Sequence, residues 1–206
     1  MITVHTLASG SEGNSLLVSA DGTHLLVDAG ISARRIKQSL ALLGLTPDDL
    51  SAILISHEHT DHTAGLATLL KHHPIPLYAT GGTAFYLRPR LPQLDSCLRL
   101  VFPGSSFPVG SAQVTVFATS HDAGESVDYR VDCGDAAVGI LTAAALLIAG
   151  ISIYSSRQET RVLNVYNWGE YISDGSDDSL NTIKAFEQWY EETYGRKVKV
   201  NYTTFA

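Results

Sequence analysis

An apolar run, Ile53-Leu54-Ile55-Ser56, is followed at once by His57-Glu58-His59-Thr60-Asp61-His62, so three imidazoles and two carboxylates crowd into six positions. Imidazole and carboxylate are side chains that bind zinc, iron and manganese. The pattern constrains the fold, because an early strand has to end where these donors can meet. If the run is a strand, its side chains alternate, which puts His57, His59 and Asp61 on one face. Glu58 then alternates to the other face and reads as a solvated or structural residue. A tight turn after the strand brings His62 round to the same point. A lone histidine reads as packing, and a cluster at this spacing does not.

The 206 residues suffice for one large domain or two small ones, and at 45% hydrophobic and 17% charged they can bury a core. A net charge of −7 and a pI near 5.5 argue against a basic nucleic-acid groove, although a bound cation supplies local positive charge. Cys97 and Cys133 form neither a disulfide framework nor a metal spacing, and read as small buried hydrophobes in a reducing compartment. Met1-Ile2-Thr3-Val4-His5 reads as a first strand rather than a signal peptide, which places the chain in the cytoplasm.

The two ends of the chain do not match. All eight histidines lie at or before His121, whereas aromatic residues concentrate after position 142. Between them, Ala136 to Tyr154 carries no charge. Its centre, residues 143–151, has the character of a secretory h-region or a short membrane span, with contact to a membrane as one use and a buried strand and helix as the other.

The first part reads as an α/β chain. Strands are expected at Thr3–Leu7, Ser15–Ser19, His24–Asp28, Ile75–Ala79, Gln113–Thr119, Val127–Asp132 and Val138–Thr142, with Asp21-Gly22 as a hairpin turn. Ile36, Leu40 and Leu43 recur at helix spacing, with Ser32 as cap and Gly44 as stop. Thr63–His72 and Thr83–Leu87 are further helices. The last part reads as β-α-β: strands at Val162–Tyr166 and Val198–Tyr202 flank a helix with a Leu180, Ile183, Phe186 stripe that Gly195 ends. Gly10-Ser11-Glu12-Gly13 lacks the Gly-Lys-Ser/Thr of a phosphate loop and reads as a tight loop near the metal edge. Arg34, Arg35 and Lys37 read as a solvated helix face.

His57-x-His59-x-Asp61-His62 resembles the metal signature of the metallo-β-lactamase fold superfamily over about residues 1–142. Leu7-Ala8-Ser9-Gly10-Ser11-Glu12-Gly13-Asn14-Ser15, Leu25-Leu26-Val27-Asp28-Ala29-Gly30 and Thr119-Ser120-His121-Asp122-Ala123 look like the small bacterial WalJ-type branch, whose members are hydrolases and exonucleases. The resemblance implies an αββα sandwich with the metals at one edge of its two sheets. It implies that His57, His59 and His121 hold one ion, zinc or manganese, and that Asp61 and His62 begin a second site. It also implies that Asp61 orients the nucleophile, and that Asp28 supports the site from behind.

The pattern then breaks. After a strand like Val138–Thr142 the family places an aspartate that bridges both metals, and this chain has Ala143. Asp132 and Asp135 lie upstream of that strand. A further histidine and the second half of the sandwich are absent, so the sandwich is expected to be truncated. Leu163-Asn164-Val165-Tyr166-Asn167-Trp168-Gly169-Glu170-Tyr171-Ile172 instead resembles the mature N-terminus of the spermidine/putrescine-binding proteins of ABC importers, and residues 197–205 look like that fold's second strand. There Trp168, Glu170 and Tyr171 match positions that contact polyamine, a chemistry suited to aromatic faces and carboxylates. The tail alone makes no cleft, which argues against polyamine binding.

Three domains are therefore expected: residues 1–142 as the N-terminal part of a metallo-β-lactamase-fold domain, 143–160 as an apolar, leader-like linker, and 161–206 as a β-α-β fragment. The leading functional expectation is a metal-dependent hydrolase that acts on nucleic acid or a small phosphodiester, with lactams and thioesters as other substrates the signature admits. The alternatives are a polyamine-binding fragment, or an inactive fusion of two truncated reading frames joined near Thr142–Ala143.

Overall fold

Strand β2 (Ser15–Ala20) shows how the layers arise. Its residues alternate between faces, yet both faces are buried: Leu16 and Val18 enter one core and Leu17 another. The strand β3 (Thr23–Val27) behaves alike, sending Leu25 and Val27 one way and Leu26 the other. Strands buried on both sides belong to the middle of a layered fold. Each fully buried Leu, Ile or Val contributes roughly 1.5–3 kcal/mol.

The computed structural model describes residues 2–141, 148–153, 160–168, 182–194 and 197–205. One sheet has the order β1 (Ile2–Ala8), β2, β3, β4 (Ala52–Leu54), β5 (Leu77–Ala79) and β6 (Leu98–Leu100). Its first three strands are antiparallel and its last four parallel. Helices fill the crossovers: α1 (Ala33–Leu42), the single turn α2 (Thr60–Thr63), α3 (Leu66–His72), α4 (Gly81–Leu87) and α5 (Leu94–Cys97). Ile36 and Leu40 of α1, Leu66 and Leu69 of α3 and Leu87 of α4 pack with Leu17, Leu26, Ile53 and Ile55 on one face of that sheet.

The second sheet runs β7 (Ser106–Val109), β8 (Ala112–Ala118), β9 (Val127–Cys133), β10 (Ala136–Leu141), β11 (Ile148–Ile153), β12 (Thr160–Trp168) and β13 (Lys197–Phe205). Val114, Val116, Tyr129, Val131, Val138 and Ile140 of this sheet meet Leu16, Val18, Leu25, Val27 and Leu54 of the first. This gives the metallo-β-lactamase type of layering, helices on sheet on sheet. β12 and β13 are parallel and joined through α6 (Thr182–Tyr194), the β-α-β arrangement read from the tail. β11 pairs antiparallel with both β10 and β12, and lies inside the stretch expected as a linker. Among the described residues no helix is long and apolar enough to cross a membrane.

Two differences from expectation have local causes. The helix expected over Thr63–His72 is split into α2 and α3 around Gly65, whose missing side chain lets the chain pass against the Ile31 carbonyl. β7 escapes pattern reading because it contains Pro108. The strand tolerates proline because it lies at the sheet edge, where an unmade ladder bond faces outward.

Candidate metal centre

The strand that was expected to carry the histidines stops earlier, at Leu54. Beyond it the chain becomes a bridge between the two sheets. Ile55 N–H donates to Tyr78 O at 2.9 Å on the β5 side, and Ser56 O accepts from Val127 N–H at 3.0 Å on the β9 side. The Tyr129 hydroxyl, fully buried, donates to Ile55 O at 2.8 Å. His57 therefore emerges where the sheets meet. His59 caps α2 in an extended conformation, and the helical turn that follows, not strand alternation, swings His62 back toward His57. His62 N–H donates to His59 O at 3.0 Å.

His121 arrives from the loop between β8 and β9. The structure brings it together with His57 and His59, with one nitrogen of each ring within 4.8 Å of the others. Ring centroids lie 4.6 Å apart for His57–His59, 4.5 Å for His57–His121 and 5.0 Å for His59–His121. His62 lies 4.0 Å from His57, centroid to centroid. Asp61 Oδ2 is 3.4 Å from His62 Nε2, and Asn14 Nδ2 reaches both, at 3.3 and 3.2 Å. All five candidate donors thus sit in one neighbourhood, three as a group and two beside it.

A buried network sets the protons on two of these rings. Asp28, fully buried, receives Ser56 N–H on Oδ1 at 2.9 Å, and Ser56 O–H at 2.8 Å together with His62 Nδ1–H at 2.7 Å on Oδ2. The single Ser56 hydrogen is spent on Asp28, so the 2.9 Å contact between Ser56 Oγ and His57 Nδ1 has the ring as donor. In the neutral rings both histidines therefore carry hydrogen on Nδ1 and keep a lone pair on Nε2. His57 Nε2 is buried without a hydrogen-bond partner among the described residues. A buried ring nitrogen with a free lone pair, facing two more imidazoles, fits a divalent cation and fits little else.

Charge follows the same geometry. Burial holds the His57 pKa down to about 3, helped by the neighbouring rings of His62, His121 and His59, so the ring is a neutral base across the physiological range. Burial also opposes charge on His62. The Asp28 hydrogen bond and the charges of Asp28 and Asp61 outweigh it, and raise the His62 pKa above its ordinary value.

The backbone clamps this arrangement from behind. Asn14 N–H donates to Asp61 O at 2.7 Å, Gly30 N–H to Asn14 O at 2.8 Å and Ala29 N–H to His62 O at 2.8 Å. A side chain on Gly30 would collide with the Asp61 carbonyl. The glycine-rich segment at 10–13 does form a tight loop here, with Asn14 Oδ1 accepting from Gly10 N–H at 3.1 Å.

Asn14 and Ser56 were missed from sequence, for neither residue type announces a metal site. Of the two readings of Glu58, solvated or structural, the second fits: it is buried, and its Oε1 accepts from Gly124 N–H at 2.7 Å. Asp132 is engaged by Arg130, Nη2 to Oδ1 at 2.6 Å. Arg34, Arg35 and Lys37 are on an exposed face of α1. Trp168 ends β12, whereas Glu170, Tyr171 and Ala143 lie outside the described residues.

Residues 8–127 match the sequence model of the metallo-beta-lactamase superfamily. The exodeoxyribonuclease WalJ of Streptococcus pneumoniae (strain ATCC BAA-255 / R6) is 38% identical over 139 residues, 66% of this chain and 52% of that protein. The exodeoxyribonuclease YycJ of Bacillus anthracis is 34% identical over 137 residues, again 66% and 52%. The chain spans about half the length of these curated relatives. Among solved structures, BJP-1, a subclass B3 metallo-beta-lactamase of Bradyrhizobium japonicum, superposes with a TM-score of 0.56 at 18% identity, over 80% of this chain and 60% of that one. The MIM-2 metallo-beta-lactamase gives 0.57 at 22%, over 70% and 60%. At such identities the likeness is one of fold.

Proposed function

This chain belongs to the metallo-β-lactamase superfamily, and from that premise we propose that it carries the water-activating part of a metal-dependent phosphodiesterase that acts on nucleic acid. The observation that carries the reading is the convergence of His57, His59 and His121 around a buried, unpartnered Nε2. These three residues would hold one cation, zinc or manganese, and Asp61 with His62 would begin a second position. A bound dication lowers the pKa of a water molecule toward neutrality and so supplies a nucleophile there. The chain's own residues prepare for it: Asp28 and Ser56 orient His57 and His62, and Asp61, partly exposed beside His62 Nε2, would orient the attacking water.

The choice of substrate rests on the exodeoxyribonuclease relatives. A dication also supplies the positive charge that an acidic chain otherwise lacks for binding a phosphate. The test offers the purified chain, loaded with zinc or manganese, a chromogenic phosphodiester, single-stranded DNA, a β-lactam and a thioester. Turnover of the first two is expected. Turnover of the lactam or thioester alone replaces the substrate class, and bound metal with no turnover on any of the four rejects the enzyme reading.

We further propose that residues 1–142 and 161–206 have separate origins. The superfamily match ends at 127, and the donors gathered at the centre all precede position 122. Sequencing the gene across codons 135–160 in an independent isolate tests this. An uninterrupted reading frame of the same sequence supports a natural fusion, whereas a family-like continuation that begins with aspartate at position 143 identifies the junction as a frame or assembly artefact.

A further inference from the structure

Two of the three converging imidazoles, His57 and His59, are carried by one short segment. The third comes from far along the chain, on the loop 119–126, and something has to hold that loop against the first two. Its base is closed by Thr119 N–H to Ser126 O at 3.2 Å and Thr119 Oγ1 to Ser126 Oγ at 2.9 Å. One side is tied to α4: Glu125 Oε2 accepts from Gly82 N–H at 3.0 Å, and Glu125 O from the Thr80 hydroxyl at 2.7 Å. The tip meets Glu58. Ala123 N–H donates to His121 O at 2.9 Å, and the next amide, Gly124 N–H, donates to Glu58 Oε1 at 2.7 Å.

Glu58 is an unusual side chain to find here. It stands between His57 and His59, it is 9% exposed, and its second oxygen is buried without a hydrogen-bond partner among the described residues. Burying a carboxylate costs free energy that one amide does not recover. A segment carrying such a group makes physical sense where a cation site adjoins it and where the group has a task.

We propose that Glu58 is a positioning residue for the cation site: by accepting Gly124 N–H it latches the loop that presents His121 to His57 and His59. This rests on the metal-dependent reading above. The latch joins the His57–His59 segment to the loop that carries His121, so its loss is read first in the third ligand. Cation binding and loop closure then favour each other, as linkage requires.

Cobalt(II) titration of the full chain by calorimetry, with its visible spectrum, tests the latch. Glu58→Ala is expected to weaken cobalt about 10–100-fold, the cost of removing a group that orients a ligand, and to shift the spectrum toward that of His121→Ala. Glu58→Gln is expected to restore most of the affinity, because its amide oxygen accepts from Gly124 N–H. The double variant Glu58→Ala/His121→Ala is expected to bind no more weakly than His121→Ala alone. Wild-type affinity and spectrum in Glu58→Ala, losses that add in the double variant, or Glu58→Gln no better than Glu58→Ala would each overturn the latch while leaving the metal reading intact. A wild-type chain that takes up no cobalt overturns both. Should Glu58→Ala fail to fold, hydrogen exchange at the Gly124 amide of the wild-type chain decides: slow exchange supports the latch and unprotected exchange overturns it.

Discussion

Replacing Asp28 by asparagine isolates the proton arrangement of the site from its shape. The two side chains are isosteric, and asparagine tolerates the left-handed backbone that Asp28 adopts at φ 57°. Asp28 accepts three hydrogens, one on Oδ1 and two on Oδ2. An amide has a single acceptor oxygen. If its NH2 replaces Oδ2, it faces the donors Ser56 Oγ and His62 Nδ1. Ser56 must then accept from the amide and turn its own hydrogen to His57 Nδ1, which forces hydrogen onto His57 Nε2 and removes the lone pair a cation needs. If the amide is flipped, the Ser56 backbone N–H loses its acceptor. Bonds to a charged acceptor contribute about 1.5–3 kcal/mol each, and at least one is lost. We expect Asp28→Asn to lower unfolding free energy by about that amount and zinc affinity about 10–100-fold. Urea unfolding and competitive zinc titration give the two magnitudes, and nitrogen NMR of the His57 ring gives the tautomer. Wild-type zinc affinity and a wild-type urea midpoint, with His57 still protonated at Nδ1, would refute the reasoning.

Other perturbations probe separate parts of the frame. Gly30→Ala places a methyl on the Asp61 carbonyl and should cost more than about 2 kcal/mol of stability, within the range of overpacking, and weaken cation binding; unchanged urea midpoints would deny that this contact is close. Tyr129→Phe leaves Ile55 O without its buried donor and should cost about 1–3 kcal/mol by urea unfolding, with zinc affinity falling less than in Asp28→Asn. In chelator-treated protein, His57 should make folding weaken on acidification. Its folded pKa, about 3, lies below the ordinary 6.5, so between these values the unfolded chain binds a proton that the folded chain refuses. The stability is present above pH 6.5 and is lost toward pH 3. His62, raised, acts in the opposite sense, its contribution fading as pH rises through its folded value. Urea midpoints across pH 4–7 should therefore fall less steeply in His57→Gln than in wild type, and equal slopes would contradict the assignment.

The donors of the site were legible because their residue types are rare at that density, and because type and spacing survive any error in secondary structure. His57, His59 and His121 do come together as read, although β4 already ends at Leu54: the chain is still extended at His59, and the helical turn α2 brings back His62, which strand alternation does not reach. Strands β2, β3 and β8 were legible from their apolar runs. The residues that hold the donors in place were not. Ser56 reads as the last residue of an apolar run, and its role depends on Asp28, nearly thirty positions earlier and across the sheet. Alternation put Glu58 on the opposite face, as a solvated or structural residue, but could not show that a loop more than sixty residues later folds over it. Such roles come from contacts between distant segments, and local periodicity carries no record of them.

The central claim is that three imidazoles from two distant segments share one cation. X-ray absorption spectroscopy of the full chain loaded with one equivalent of zinc tests it directly. The account predicts three imidazole nitrogens at about 2.0–2.1 Å, falling to two in His121→Ala. A first shell with fewer than three imidazoles in the wild-type chain, or one that His121→Ala leaves unchanged, would contradict it.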